Sequence, residues 1–180
     1  MKDLTKEIIF TDRLKLVALS EEYAADIFEN FSEEITTFMN PRSPKKIEEV
    51  LEYIHTQIPK MERGEELPVI ILDLETGEFL GGGGAHQLNT STPELGIWIK
   101  KSAHGKKYGR EAVTALKLWI DEHVPYTYIK YPVDKKNISS RKIAESLGGV
   151  VEDEYKKTNM SGNVLDEVEY RIYKQLATGD

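Results

Sequence analysis

The residues most suited to chemistry lie between positions 97 and 112, where the chain reads IWIKKSAHGKKYGREA. Bulky strand-forming residues run into a loop in which Gly105 and Gly109 bracket Lys106, Lys107 and Tyr108, with His104 before and Arg110 after. A helix pattern begins there. A helix start leaves about four backbone N–H groups without partners and carries roughly half a positive charge. Glycine lets the main chain approach a ligand closely and adopt positive φ. With three full cationic charges added, the joint suits an anion such as a pyrophosphate. The spacing matches neither G-x-x-x-x-G-K-[ST] nor G-x-G-x-x-G, so a plain tight turn is the competing reading.

Other residues could do proton chemistry. Glu94 opens the strand that leads into this loop and could take a proton through water, although a strand-end glutamate is commonly a solvated charge. His86 ends the preceding glycine-rich segment and could point into a cleft. Asn137 and Ser140 stand at a helix start, where capping is the simplest role for the asparagine and backbone bonding for the serine. The run GGGG at 81–84 is followed by no helix cap, so it reads as a bulged or closely packed strand and not a phosphate loop. The four histidines are scattered and cysteine is absent, which leaves no metal-ligand spacing, disulfide or thiol chemistry.

Several elements must position these groups. Residues 13–19 form a first strand. Ser20 caps a helix carrying Tyr23, Ile27 and Phe31. Ser43 caps a second helix, with Pro44 at its first position and Ile47, Val50, Leu51, Ile54 and Ile58 on one stripe. Pro59 should end or bend it, and Gly64 closes the segment. A hairpin joins 67–75 to 78–88. Strand 94–100, helix 108–123 and strand 125–133 make a right-handed crossover, so those two strands run parallel. A helix beginning at Asn137 or Ser139 stops at Gly148. A final hairpin, 150–160 with 164–174, turns at 161–163. The fold class is α/β: one mixed sheet with helices on both faces, in a single domain over 1–180 whose last residues, 177–180, are frayed.

Composition narrows the function. With 24 Lys and Arg against 31 Asp and Glu, the net charge of the 180 residues is −7, which argues against general nucleic-acid affinity. No stretch reads as a secretory leader or reaches the roughly 20 apolar residues of a membrane span, so the expected location is the cytoplasm.

The loop resembles the acyl-CoA loop of the GCN5-related N-acetyltransferase (GNAT) family, whose pattern is Gln/Arg-x-x-Gly-x-Gly/Ala after a strand. His104 stands at the Gln/Arg position and Lys107 at a position where the family usually has glycine. TDRLKLVAL (11–19), ELGIWI (94–99), NISSRKIAESLGG (137–149) and EYRIYK (169–174) resemble, in order, segments of the RimJ/RimL-like subgroup that acetylates ribosomal-protein N-termini. The resemblance implies an acetyl-CoA-dependent N-acetyltransferase acting on a primary amine by direct attack in a ternary complex. It implies a mostly antiparallel twisted sheet in which strand 94–100 splays from strand 125–133. Ile97, Trp98 and Ile99 would then pair with the pantetheine arm, and residues His104, Gly105, Lys106, Lys107, Tyr108, Gly109 and Arg110 would hold the pyrophosphate. Asn137 and Ser140 would contact the cofactor. Many relatives protonate the departing thiolate with a tyrosine. Here that position is Ala144, which leaves Ser140 as the donor, with Glu94 as proton acceptor. A homodimer is the assembly the resemblance suggests. The acceptor, whether a protein N-terminus or a small amine, is not coded in any motif. The alternative is a non-catalytic acyl-CoA-binding module of the same fold.

Overall fold

The computed structural model describes residues 2–175. The expected fraying at 177–180 lies outside these residues. The strands are β1 (Ile8–Phe10), β2 (Leu14–Ala18), β3 (Leu67–Asp73), β4 (Phe79–His86), β5 (Glu94–Ile99), β6 (Ile129–Asp134), β7 (Val150–Thr158) and β8 (Val164–Ile172). The helices are α1 (Ala24–Asn30), α2 (Glu33–Thr36), α3 (Ile47–Glu62), α4 (Tyr108–His123) and α5 (Ile138–Ser146). All strands join one sheet in the order β1-β2-β3-β4-β5-β6-β8-β7. Every neighbouring pair is antiparallel except β5 and β6.

β3 explains why both faces need helices. Leu67, Val69, Ile70, Ile71 and Leu72 are all buried, so apolar residues on both sides of the pleat are covered. α4 buries Ala112, Val113, Leu116 and Ile120, the stripe that its 3.6-residue period sets out. Ile97 and Ile99 turn toward Gly109 of α4 and Ile143 of α5. Their neighbour Trp98 turns the other way, with its ring 4.8 Å from that of Phe31 at the end of α1. Alternation along β5 therefore separates an α4–α5 face from an α1–α3 face.

Several local expectations need correction. Ser43 and Pro44 do not start α3. Lys46 occupies the N-cap position, and Glu49 satisfies the entry by accepting from the Lys45 amide and from Arg42. Pro59 does not end α3, which continues to Glu62 because Met61 is fully buried. The helix stops in a Schellman turn, with Gly64 at φ 71° and bonds from Gly64 N to Met61 O and from Glu65 N to Lys60 O. Ser20 makes no side-chain cap, and the first helical region is a 3-10 turn, Glu21–Tyr23, followed by α1. The capping serine is Ser32, which accepts from Ile35 N. β6 begins at Ile129 and not at 125, because the preceding chain bonds to the 91–93 loop instead, Thr127 N to Ser91 O. The short edge strand β1 went unread, since its three residues are partly or fully exposed.

Candidate active site

β5 and β6 share a single register pair, Glu94 with Lys130, and then separate. The backbone of β5 alternates between its two neighbours. Lys100 N donates to Leu80 O, which puts the even-numbered residues in bonding register with β4. The carbonyls of Gly96 and Trp98 accordingly point at Gly83 and Gly81. The N–H and C=O groups of Ile97 and Ile99 therefore point into the gap between β5 and β6. Of the three β5 residues expected to offer free backbone, Ile97 does so with both groups and Ile99 with its N–H, its carbonyl being bonded to His104. Trp98 turns its main chain to β4, and its indole fills the α1–α3 side against Phe31 and Phe79.

The glycine run makes this possible. A Cβ on Gly82 would stand 2.8 Å from Trp98 Nε1, and one on Gly83 would stand 2.6 Å from Gly96 O. The run is a closely packed strand that seats β5, as expected for glycine in a strand interior.

Beyond β5 the chain makes a 3-10 turn, Lys101–Ala103, and enters the loop before α4. His104 bonds through Nε2 to Ile99 O at 2.6 Å, so its ring closes one free carbonyl at the end of β5. Gly105 has φ 83° and open space around its missing side chain. Lys107, the N-cap residue, also lies in the left-handed region, φ 61° and ψ 26°. Gly109 packs instead: a Cβ there would be 3.3 Å from Ile143 Cδ1 and 3.6 Å from Ile99 Cγ1. The first-turn amides of α4 at Tyr108, Gly109 and Arg110 precede its first intrahelical bond, Glu111 N to Lys107 O.

The loop has a brace that the sequence did not disclose. Arg13 Nη2 donates to Lys106 O at 3.0 Å, Arg13 Nε donates to Glu111 Oε1 at 2.8 Å, and the guanidinium lies 4.6 Å from the Tyr108 ring centroid. Thr11 Oγ1 and Arg13 N donate to Glu111 Oε2. Burial opposes ionisation of Glu111, but these hydrogen bonds and the Arg13 charge hold it below the usual carboxylate range. A basic residue just before the first apolar strand was the available signal, without a readable partner.

At the other side of the gap Asn137 caps α5, accepting from Ser140 N at 3.3 Å. Ser140 Oγ lies 2.7 Å from the hydroxyl of Tyr131, a residue the sequence reading missed. Burial pushes the Tyr131 phenol up to about 12, against the opposing effect of the Ser140 hydrogen bond.

Glu94 lies at the closed end of the gap, in the one register pair that joins β5 to β6. Burial pushes its carboxyl above the ordinary range, Glu167 adds to this, and His86, Lys130 and Lys157 pull the other way. Burial followed by Glu167, Glu169 and Glu94 pushes the Tyr155 phenol up. His86 Nδ1 lies 2.6 Å from Glu66 Oε2. Segments from opposite ends of the chain meet beside this region: Asn159 Nδ2 donates to Met39 O and Met160 N donates to Asn40 O. Among the described residues no group of three or more potential metal-ligating side chains forms.

A split β5–β6 pair beside a cationic, amide-rich helix start is the geometry expected of an acyl-CoA transferase fold. A family model described as an acetyltransferase (GNAT) domain matches residues 13–150. The chain belongs to the GNAT acetyltransferase family. No curated protein matches the sequence. Among solved structures, a RimL ribosomal L7/L12 alpha-N-protein acetyltransferase in complex with coenzyme A superposes with a TM-score of 0.82 at 17% identity, covering 93% of this chain and 98% of that one. A ribosomal-protein-S5-alanine acetyltransferase from Vibrio fischeri gives 0.81 at 15% identity, covering 93% and 97%. A GCN5-related N-acetyltransferase from Brucella melitensis gives 0.77 at 16% identity, covering 93% and 79%. The neighbours thus include ribosomal-protein acetyltransferases, in line with the expected subgroup.

Proposed function

We propose that the protein transfers the acetyl group of acetyl-CoA to a primary amine, by direct attack in a ternary complex in the cytoplasm. The observation that carries this reading is the open edge of β5, with Ile97 and Ile99 presenting backbone groups to the gap that leads to the α4 start. A strand-like pantetheine arm satisfies those groups, which otherwise lack ladder partners. The amides of the 105–110 segment, with Lys106, Lys107 and Arg110, receive the pyrophosphate. The side-chain amide of Asn137 is a donor for a pantetheine carbonyl, since its oxygen already caps α5.

Acetyl transfer needs a polarised carbonyl, a neutral amine and a protonated leaving group. The Ile97 N–H is the main-chain donor for the thioester oxygen. Glu94, raised by burial, accepts a proton from the incoming ammonium through a water. Ser140, backed by Tyr131, delivers a proton to the departing thiolate. The neighbours named for ribosomal-protein N-termini support a protein α-amine as acceptor. That choice also suits the chemistry, because an α-amino group has an ordinary pKa of about 8 and loses its proton readily.

The test combines calorimetry with coenzyme A and a thiol-release assay using acetyl-CoA and a peptide with a free N-terminal serine. Binding with turnover is expected. Ala144 at the customary tyrosine position favours the second reading, a non-catalytic acyl-CoA-binding module. Tight binding with no thiol release across an amine panel would establish that module. Absence of binding by folded protein would remove both readings.

A further inference from the structure

We propose that His86 is a catalytic residue whose Nε2 is the final acceptor of the proton lost by the attacking amine, and that Glu66 is the residue that positions it. The proposal rests on the acetyltransferase reading and deepens it.

The ring of His86 lies across two glycines that pair with each other, Gly84 of β4 and Gly96 of β5. A Cβ on Gly84 would stand 2.9 Å from the ring Cε1 and 3.0 Å from Nε2, so glycine there seats the imidazole. Glycine at 96 has a different meaning. A Cβ there would stand 3.7 Å from Nε2, an ordinary contact, and its φ lies outside the left-handed region. Neither packing nor backbone conformation requires glycine at 96. Its effect is to leave open space beside Nε2 on the α1–α3 face of β5. The next residue, Ile97, is the first whose backbone faces the gap.

The other nitrogen is committed. Nδ1 lies 2.6 Å from Glu66 Oε2, and a carboxylate accepts, so the proton of neutral His86 sits on Nδ1. Nε2 then carries the lone pair and makes no hydrogen bond among the described residues. Glu66 is fixed at both oxygens, since Oε1 accepts from Gln87 N at 3.1 Å. Gln87 is held at φ 54°, a left-handed conformation for a side-chain-bearing residue, and its Oε1 accepts from Lys130 Nζ at 2.9 Å. Strain of this kind collects at functional sites. Both members are partly buried, at 27% and 16% side-chain exposure, so the charge that forms on the ring is shielded yet can drain to water.

The charged and titratable groups around the pair come from each neighbouring element. Glu94 of β5 is the register partner of His86, and Lys130 comes from β6 through Gln87. Tyr53 of α3 lies near enough for Glu66 to act on it, and Lys157 and Glu167 act on Glu94 from β7 and β8. Glu94 is thus a transit point, and His86 the resting place.

The step balances. The ammonium gives one proton by way of water and Glu94 to Nε2, and the imidazolium is stabilised by Glu66. The neutral amine attacks the thioester carbonyl carbon, the C–N bond forms and the C–S bond breaks. The second amine proton reaches the thiolate by way of Ser140. The imidazolium releases its proton to water.

The test uses the full chain, acetyl-CoA and a peptide with a free N-terminal serine, with H86Q, E66Q and G96A compared with wild type. Coenzyme A affinity is expected to stay within about twofold in all three. H86Q should lower kcat about 10²- to 10⁴-fold and remove the acid limb of kcat/KM, even though Glu94 remains. E66Q should lower kcat by a smaller factor than H86Q, since a neutral amide can still orient the ring but offers the imidazolium no opposite charge. G96A should fold normally and lose activity. Nitrogen-15 NMR should show neutral His86 as the Nδ1–H tautomer. An Nε2–H tautomer, or an H86Q pH profile equal to wild type, would overturn the proposal. Wild-type protein that binds coenzyme A but acetylates no amine would also overturn it, while leaving cofactor binding intact. Failure to bind coenzyme A would instead defeat the functional reading beneath it.

Discussion

Glu94 is a carboxylate held where its charge is poorly solvated, and that has opposite consequences for folding and for chemistry. Burial raises its pKa in the folded state above the value of roughly 4.3 for an open chain. Below that value it is protonated in both states and costs nothing. As pH rises through the interval between the two values, the unfolded chain ionises first and stability falls. E94Q should therefore be at least as stable as wild type at pH 7, with the difference vanishing near pH 4, while acetyl transfer drops. Thermal melts across pH with parallel rate measurements check this; an E94Q protein less stable at pH 7 than at pH 4, relative to wild type, would contradict it. Lys107 is a second residue-scale conflict. Left-handed backbone costs a non-glycine residue about 1–2 kcal/mol, offset by the larger entropy loss of glycine on folding. K107G should gain up to about 1 kcal/mol in denaturant unfolding, yet bind coenzyme A severalfold more weakly and with a shallower salt dependence, because one cation is removed.

At the scale of elements, the β5–β6 gap is a strand edge kept open for a ligand. Amide exchange provides a residue-specific check. Ile97 N–H should exchange quickly in free protein and become protected when coenzyme A is added, whereas Trp98 N–H, which faces β4, should be protected in both states. Equal protection at 97 and 98 without ligand would mean that the gap is closed. This also marks what the sequence could disclose. The split was legible only through family resemblance, because strand pattern predicts a strand and not which neighbour its backbone meets. The glycine-lined loop was legible directly, since Gly105 and the helix start are local features. α3 was misread at its entry because Ser43 and Pro44 form a good local signal, while Glu49, four residues beyond Lys45, supplies the actual closure. Pro59 does not end the helix, because burial of Met61 carries it past, and Gly64 closes the segment as expected. The Glu66–His86 contact joins residues 20 apart through strand register, which no local pattern encodes.

For the whole molecule, two long-range clasps divide the labour of the proposed site. The first ties Thr11 and Arg13 to Glu111 across about 100 residues and holds the α4 loop. The second ties Met39 and Asn40 to Asn159 and Met160 across 120 residues and joins the α2–α3 connection to the β7–β8 turn. Neither is visible in sequence, because each pairs common polar residues brought together only by sheet order. If they serve different ligands, their loss should separate in measurement. Glu111 is held ionised by its partners, so its stabilising effect is full above the open-chain pKa and is lost as pH falls through its lower folded value. E111Q should therefore cost about 1 kcal/mol at pH 7 and little in acid. It should weaken coenzyme A binding through a loosened Lys106 carbonyl. Asn159 is buried, and its Oδ1 also accepts from Ser161 N and Asn163 N, so N159A leaves three polar partners unmatched. A loss of about 1–3 kcal/mol is expected, with KM for the peptide acceptor raised and coenzyme A affinity unchanged. Calorimetry and acceptor kinetics on both variants decide the matter: if N159A weakens coenzyme A as strongly as E111Q does, the two clasps act on one common body and the division of labour is wrong.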